Sequence, residues 1–245
     1  PSSELVLYGG SFGQLISDGG IVCGKLLATA HCFEGMTYEQ ASAATLLNNV
    51  KVVACEHTSY DENNGYCPDC GLSFVATITK EESVTYYNDL AEALAAAQTE
   101  GNKGCTLKLF TDTDEKITVK TGAFTLDAAN RTINNAVNVG KGAELTIAGG
   151  TIVKNTICAD GGKLTASSVT FKGTINSVGE GSFSNCIFEG NVSGRGLHSL
   201  SSCTLKADLN ISGTTIMSGS SVTGKVTVNN GGKLHIGGKN TFADM

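Results

Sequence analysis

The sequence predicts an all-β protein: a parallel, right-handed β-helix solenoid with a helix capping its N-terminal end and a small zinc-clipped joint ahead of it. Three observations predict the solenoid. A run of the form Gly-x-Leu-x-x-polar-apolar recurs through the second half, and its closing apolar residue falls at Ile152, Phe171, Phe188, Leu205, Val222 and Phe242, in steps of 19, 17, 17, 17 and 20. An opening apolar residue keeps the same beat at Leu145, Leu164, Phe183, Leu200, Ile216 and Leu234, and Asn and Gly fill the gaps, as in Asp160-Gly-Gly-Lys-Leu164. A period near 20, with short alternating runs and residues that tolerate positive φ between them, is that of stacked rungs. An antiparallel sandwich also alternates short strands and turns, but it has no reason to return the same positions at fixed steps.

Taken in order, the elements begin with Glu4-Leu-Val-Leu-Tyr-Gly-Gly-Ser-Phe12, which matches Glu144-Leu-Thr-Ile-Ala-Gly-Gly-Thr-Ile152 residue for residue in type. The chain therefore opens on a rung like those of its second half, with Ile16 four residues after Phe12. Thr37-Tyr-Glu-Gln-Ala-Ser-Ala-Ala-Thr-Leu-Leu47 then reads as a short helix or turn, and Asn49-Val-Lys-Val-Val-Ala54 as a strand. Residues 1–54 are expected to end one solenoid, 55–72 to form a joint, and 73–245 to begin the next solenoid of a tandem array.

The joint carries the sharpest chemistry, Cys55-Glu-His57 followed by Cys67-Pro-Asp-Cys70-Gly71. Three thiols and one imidazole within 16 residues match a tetrahedral zinc site of the Cys3His kind, and Cys-x-x-Cys-Gly is a turn that lets two sulfurs face one metal. The loop between the halves is polar, and a metal would compensate for its lack of core. The alternative is a disulfide among Cys55, Cys67 and Cys70; a redox dithiol fits worse, with no βαβ pattern around it. Four protein ligands leave no open position, so such a zinc is structural. Beyond it, Tyr87, Leu90, Ala91 and Leu94 mark one apolar face at helical spacing, with Gly101 as a stop, before the strand Thr106-Leu-Lys-Leu-Phe110. A helix there would cover the open first rung. In the rungs that follow, a second apolar residue trails the closing one by four, at Val137 (after Ile133), Ile175, Val192, Leu209 and Val226; Ile157 trails by five, which suggests a bulge or a wider turn.

This order of motifs resembles repeat modules of large surface proteins from gut Firmicutes: Cys-x-His, Cys-x-x-Cys-Gly, the Tyr-x-x-Leu-x-Glu-Ala helix, a Leu-x-Leu-Phe strand, Phe124-Thr-Leu-Asp127 and Gly-rich rungs. The resemblance covers most of residues 50–245. It implies a pectate-lyase-like β-helix in a secreted, cell-wall-attached protein, in a group whose members mostly have no assigned activity.

Composition narrows the function classes. Net charge is −6 with only Arg131 and Arg195 as arginines, so the basic stripe of a nucleic-acid surface is missing. No apolar run reaches 18 residues, so no membrane-spanning helix is expected. A polysaccharide hydrolase needs paired carboxylates, and a lyase needs clustered ones with a base. Asp112-Thr-Asp114-Glu115 is the densest acidic stretch and reads as a solvated turn, as do Asp127 and Asp160; Arg195 and His198, on one loop, are the best enzyme candidates. A sugar-binding face usually offers aromatic platforms, yet Trp is absent and no Tyr lies beyond Tyr87. The expectation is a non-catalytic spacer or adhesin, meeting adjacent modules of its own long chain and a glycan or host surface protein, with a polysaccharide lyase or hydrolase as the alternative. Cys186 and Cys203, 17 residues apart at one rung position, are expected to stack inward as free thiols, while Cys23, Cys32, Cys105 and Cys158 show no pairing.

Overall fold

The computed structural model describes residues 5–16, 21–23, 30–128, 130–196 and 198–243. The chain divides into two compact units: one holds residues 1–75 with 86–88, the other 76–85 with 89–245. Charge divides with them. The first unit contains eight acidic and two basic residues, the second fifteen of each, so the whole net charge of −6 lies in the first.

The second unit is the β-solenoid. Each rung contributes a strand of about five residues, one of two and one of three, as in Glu144–Ala148, Thr151–Ile152 and Thr156–Cys158. Each strand pairs in parallel with its equivalent in the next rung, which builds two seven-stranded sheets and eight strands of a ten-stranded one, where Ala76–Lys80 joins Thr106–Leu109 antiparallel and Ser83–Tyr87 lies at the edge. The closing residues form one internal column in register, Ile133, Ile152, Phe171, Phe188, Leu205, Val222 and Phe242. Phe171 and Phe188 stack at 5.3 Å and 6° between planes, and Phe183 meets both edge-on. These rings are sealed from solvent.

The expected column of opening residues is corrected by the register. Leu145 and Leu164 align with Gly181, His198, Thr215 and Leu234, whereas Phe183 and Leu200 belong to a second column two residues on, with Leu126, Ile147, Ala166, Met217 and Ile236. The described side chains of both columns face inward because residues two apart on a strand share a face. Ile216 is a different error: it sits one position off, is 45% exposed, and leaves Met217 to fill the core. No bulge follows Ile152 either. Thr156 takes the place beside Val137 and Ile175, buried, and Ile157 faces out.

Two features of the turns keep the rungs in step. A left-handed residue recurs once per rung at Asn130, Gly149, Ser168, Asn185, Ser202, Gly219 and Gly238, with φ between 53° and 68°. At another corner, side chains replace missing ladder bonds: Asn155 Oδ1 accepts from Thr174 N (3.1 Å), Asn191 Oδ1 from Asp208 N (3.1 Å) and Asp208 Oδ1 from Lys225 N (2.9 Å). Backbones approach so closely at Gly190 that a Cβ would lie 2.4 Å from the Gly173 carbonyl oxygen.

The helix Leu90–Ala97 caps the solenoid. Asp89 starts it by accepting a hydrogen bond from Glu92 N. It buries Leu90, Ala93, Leu94 and Ala97 against Ala76–Lys80 and Thr106–Leu109, so the expected face is corrected: Ala91 is exposed and Tyr87 ends the strand Ser83–Tyr87. Gln98, just past the helix, donates to Thr118 O and accepts from Lys120 N, tying the cap to the first rung.

In the first unit, Leu5–Leu7 pairs in parallel with Ile21–Cys23, as a rung would. The next strand departs from that pattern: Gly10–Ile16 runs antiparallel to Leu46–Ala54, which also takes His31–Phe33 antiparallel. Leu15 therefore enters the core and Ile16, expected there, is 67% exposed. The short helix Tyr38–Ala43 starts with a capping box between Thr37 and Gln40. The core of this unit is small, made of Leu7, Leu15, Phe33, Ala41, Leu47 and Val52 with partly buried neighbours. Among the described residues no helix is long and apolar enough to cross a membrane.

Candidate metal centre

Cys55, His57, Cys67 and Cys70 converge, with one ligand atom from each and all four within 4.8 Å of one another. The Sγ atoms of Cys55 and Cys67 are 3.7 Å apart, and Cys70 Sγ is 3.5 Å from His57 Nδ1. Metal–sulfur bonds near 2.3 Å and a metal–nitrogen bond near 2.0 Å at tetrahedral angles give edges of about 3.8 Å and about 3.6 Å. These two edges match those of a tetrahedral ion, and the remaining donor pairs lie within 4.8 Å. A disulfide would need about 2.0 Å between sulfurs. The four residues can hold a metal ion.

Each ligand is placed by local structure. Gly71 adopts φ 71°, and its N–H bonds to Cys67 O (2.8 Å), while Cys67 N bonds to Leu72 O, which folds the Cys67–Cys70 turn back on itself. A side chain at Gly71 would collide with the Tyr38 ring, 2.5 Å from its Cβ, and Tyr38 N donates to Pro68 O. The turn therefore rests on the start of the helix Tyr38–Ala43. An antiparallel bridge between Tyr66 and Ser73 closes the hairpin. His57 is buried at φ 54°, its ring edge-on to Phe74 (4.9 Å) and Tyr86 (5.1 Å). Tyr86 OH donates to His57 O, and Ser59 Oγ donates to Asp69 across the loop. Phe74, fully buried, is the local core on which the site sits.

The thiols of the cluster perturb one another strongly. A hydrogen bond from Cys55 holds the Cys67 thiol far below the usual thiol range, and Cys55 and Cys67 together drive Cys70 far above it. Cys67 and Cys70 are sealed from solvent, and Cys55, half-buried, lies beside a groove of about 580 Å³ with Glu34, Glu56 and Asp69 on its walls.

The other residues singled out in the sequence do not gather. Asp112 Oδ1 accepts from Thr132 N and Asp114 Oδ1 from Asn134 Nδ2, so this acidic stretch is a hydrogen-bonded turn. Asp127 ends the strand Ala123–Asp127. Arg195 is exposed, and the side chain of His198 lies outside the described residues. The thiols of Cys186 and Cys203 are buried and free, donating to Ser184 O and Ser201 O respectively at 3.3 Å. Cys32, Cys105 and Cys158 are also outside any disulfide, and the side chain of Cys23 is not among those described. Sequence reading missed one grouping. Glu144, Lys163 and Glu180 are successive members of one ladder and, with Asp160, line a groove of about 400 Å³. The 19- and 17-residue steps between them were the available signal.

Comparison with protein-family models, curated proteins and solved structures finds no match.

Proposed function

We propose that this chain is a non-catalytic module of an extracellular cell-surface protein, a spacer or adhesin, and that its Cys3His cluster holds a structural zinc. The observation that carries the reading is the plainness of the outward faces. They are mostly ladders of hydroxyls and amides, each interrupted by one exposed isoleucine: Thr146, Thr165, Ser182 and Ser199 before Ile216 on one sheet, Thr132, Thr151 and Thr170 before Ile187 on the second, Asn176, Ser193, Asn210 and Thr227 after Ile157 on the third. Among the described residues no two carboxylates occupy neighbouring rungs of these ladders, and Lys163 separates Glu144 from Glu180, 4.0 Å from the former. A repetitive hydrogen-bonding face suits length or a weak, extended contact with a glycan or host surface protein. The sulfur-rich donor set favours zinc over hard cations, and four protein donors leave no open position for substrate. The resemblance to surface modules of gut Firmicutes agrees with this reading, with adjacent modules of the same chain as further partners.

The alternative is an enzyme on polysaccharide, and the Glu144–Lys163–Glu180 groove favours it. Carboxylates two rungs apart, roughly 9.6 Å, lie near the upper end of the separation for inverting glycosidases. Incubation with a panel of pectins, mucins and host glycans separates the two. We expect no new reducing ends, with or without retention of a glycan on an array. Turnover that is lost in Glu180→Gln or in the Arg195 and His198 variants would overturn the proposal. Elemental analysis of protein purified without chelator should find one zinc per chain; a metal-free protein with a Cys67–Cys70 disulfide would remove the zinc.

A further inference from the structure

The four donors of the metal centre are not equally reachable. Cys67 and Cys70 are 0% and 2% exposed and His57 is buried, whereas Cys55 is half-buried. Of the four, Cys55 alone lines the groove of about 580 Å³ that Met36 and Gln40, Glu56 and Asp69 also border. A solute approaching the centre by this groove therefore meets the Cys55 sulfur first. Charge narrows which solutes enter. Lys51, bonded to Glu34 at 3.1 Å, offsets one carboxylate of the walls, but Glu56 and Asp69 remain, so an uncharged reagent is admitted more readily than an anionic one.

A partner for reaction at that sulfur is already in place. Cys67 Sγ lies 3.7 Å from Cys55 Sγ, and closing the gap by about 1.7 Å brings the pair to disulfide length. The two belong to separate segments, Cys55 just past the strand Leu46–Ala54 and Cys67 at the opening of its turn, so each can move toward the other. Cys70 Sγ instead faces His57 Nδ1 at 3.5 Å. Cys32, opposite Val53, lines the same groove but stands outside the four-donor cluster. A cysteine that ligates a metal is a thiolate, the nucleophilic form of sulfur.

We propose that Cys55 is the oxidation site of the centre, and that a peroxide entering by the groove joins Cys55 to Cys67 in a disulfide and so empties the site. The inference rests on the reading of the four donors as a zinc site. The Cys55 thiolate attacks one peroxide oxygen: an S–O bond forms, the O–O bond breaks and hydroxide leaves, so the sulfur gives up two electrons and becomes a sulfenic acid. The Cys67 thiolate then attacks that sulfur: an S–S bond forms, the S–O bond breaks and a second hydroxide leaves. Two thiolates and one hydrogen peroxide thus yield one disulfide and two hydroxides. His57 and Cys70 remain, two donors where a structural zinc takes four. The thiols of Cys158, Cys186 and Cys203, sealed inside the solenoid, stay reduced.

The intact chain loaded with zinc tests the proposal. Elemental analysis comes first, and a chain that takes up no zinc overturns the zinc reading and this one together. On the loaded chain, hydrogen peroxide should release the bound zinc, followed with a chromogenic chelator. Peptide mapping should then find Cys55 joined to Cys67, with Cys158, Cys186 and Cys203 alkylated as thiols after unfolding. Dithiothreitol with added zinc should restore the loaded protein. Cys55→His, which keeps a fourth donor, should slow the release by about tenfold or more, because the reachable thiolate is gone. If that variant does not take up zinc, brief iodoacetamide labelling of the loaded chain decides instead, and Cys55 should be alkylated ahead of Cys67 and Cys70. Zinc that stays bound under peroxide, release from Cys55→His at the unchanged rate, a Cys67–Cys70 or Cys32–Cys55 disulfide, or labelling that begins at Cys67 or Cys70 overturns the proposal while leaving the zinc site standing.

Discussion

At the scale of single residues, the core is decided by one-residue differences that a periodic pattern cannot resolve. Thr156 shows this. It occupies an internal column between Val137 and Ile175, and its Oγ1 is buried without a hydrogen-bond partner. Since an unsatisfied buried hydroxyl costs about 1–3 kcal/mol, Thr156→Val, which keeps the shape, should raise stability by about 1 kcal/mol in urea melts. Phe171→Ala should cost about 3–5 kcal/mol by the same measure, because it empties a site flanked by Phe183 and Phe188. Ser168 and Ser202 hold a left-handed backbone that Gly149 and Gly219 hold freely. Ser168→Gly should therefore be neutral to stabilising by about 0.5 kcal/mol, where the same change in a strand would destabilise. The sequence made the closing column legible because Phe171 and Leu205 stand between polar neighbours, and Ile152 and Phe188 fall on the same beat. It misled at Thr156-Ile157 and Ile216-Met217, where the more apolar or equally apolar residue points outward. Hydrophobicity alone could not choose between adjacent candidates there; pairing to the neighbouring rungs did.

At the scale of elements, legibility follows sequence distance. The four metal donors lie within 16 residues and carry turn chemistry of their own, so the site could be read without the fold. The Glu144–Lys163–Glu180 ladder needs the register of three rungs, and the antiparallel turn of Gly10–Ile16 needs a partner thirty residues away, which the likeness of Glu4–Phe12 to a rung concealed. The stacked rungs also set a pH response. Burial pushes the Cys105 and Cys158 thiols above their ordinary 9.0. Above about pH 9 the unfolded chain sheds these protons while the folded one keeps them, so the unfolded state binds fewer and stability falls as pH rises. Below that value both states hold them and nothing changes. The solenoid's melting temperature should accordingly decline as pH rises above about 9, and Cys158→Ala should lessen the slope whatever its effect at neutral pH.

At the scale of the whole chain, the two units differ in what holds them together. The solenoid repeats one internal packing scheme rung after rung, with its first rung covered by Leu90–Ala97. Among its described residues the first unit has a small cluster around Phe33 and Leu47, buried Phe74 beneath the convergence of Cys55, His57, Cys67 and Cys70, and the chain's entire net charge. Small cores of this kind depend on a staple, and a structural zinc supplies about 10–16 kcal/mol of apparent binding free energy where the site forms only on folding. Calorimetry of the intact chain should show two transitions. A strong chelator should abolish that of the first unit and leave that of the solenoid within a few degrees, and re-addition of zinc should restore it. Cys67→Ser should reproduce the chelated state and resist rescue, since it removes the donor nearest both Cys55 and the turn. Loss of both transitions on chelation would mean that the solenoid depends on the metal-bearing unit for its fold, and loss of neither would mean that the four donors are ordinary core residues.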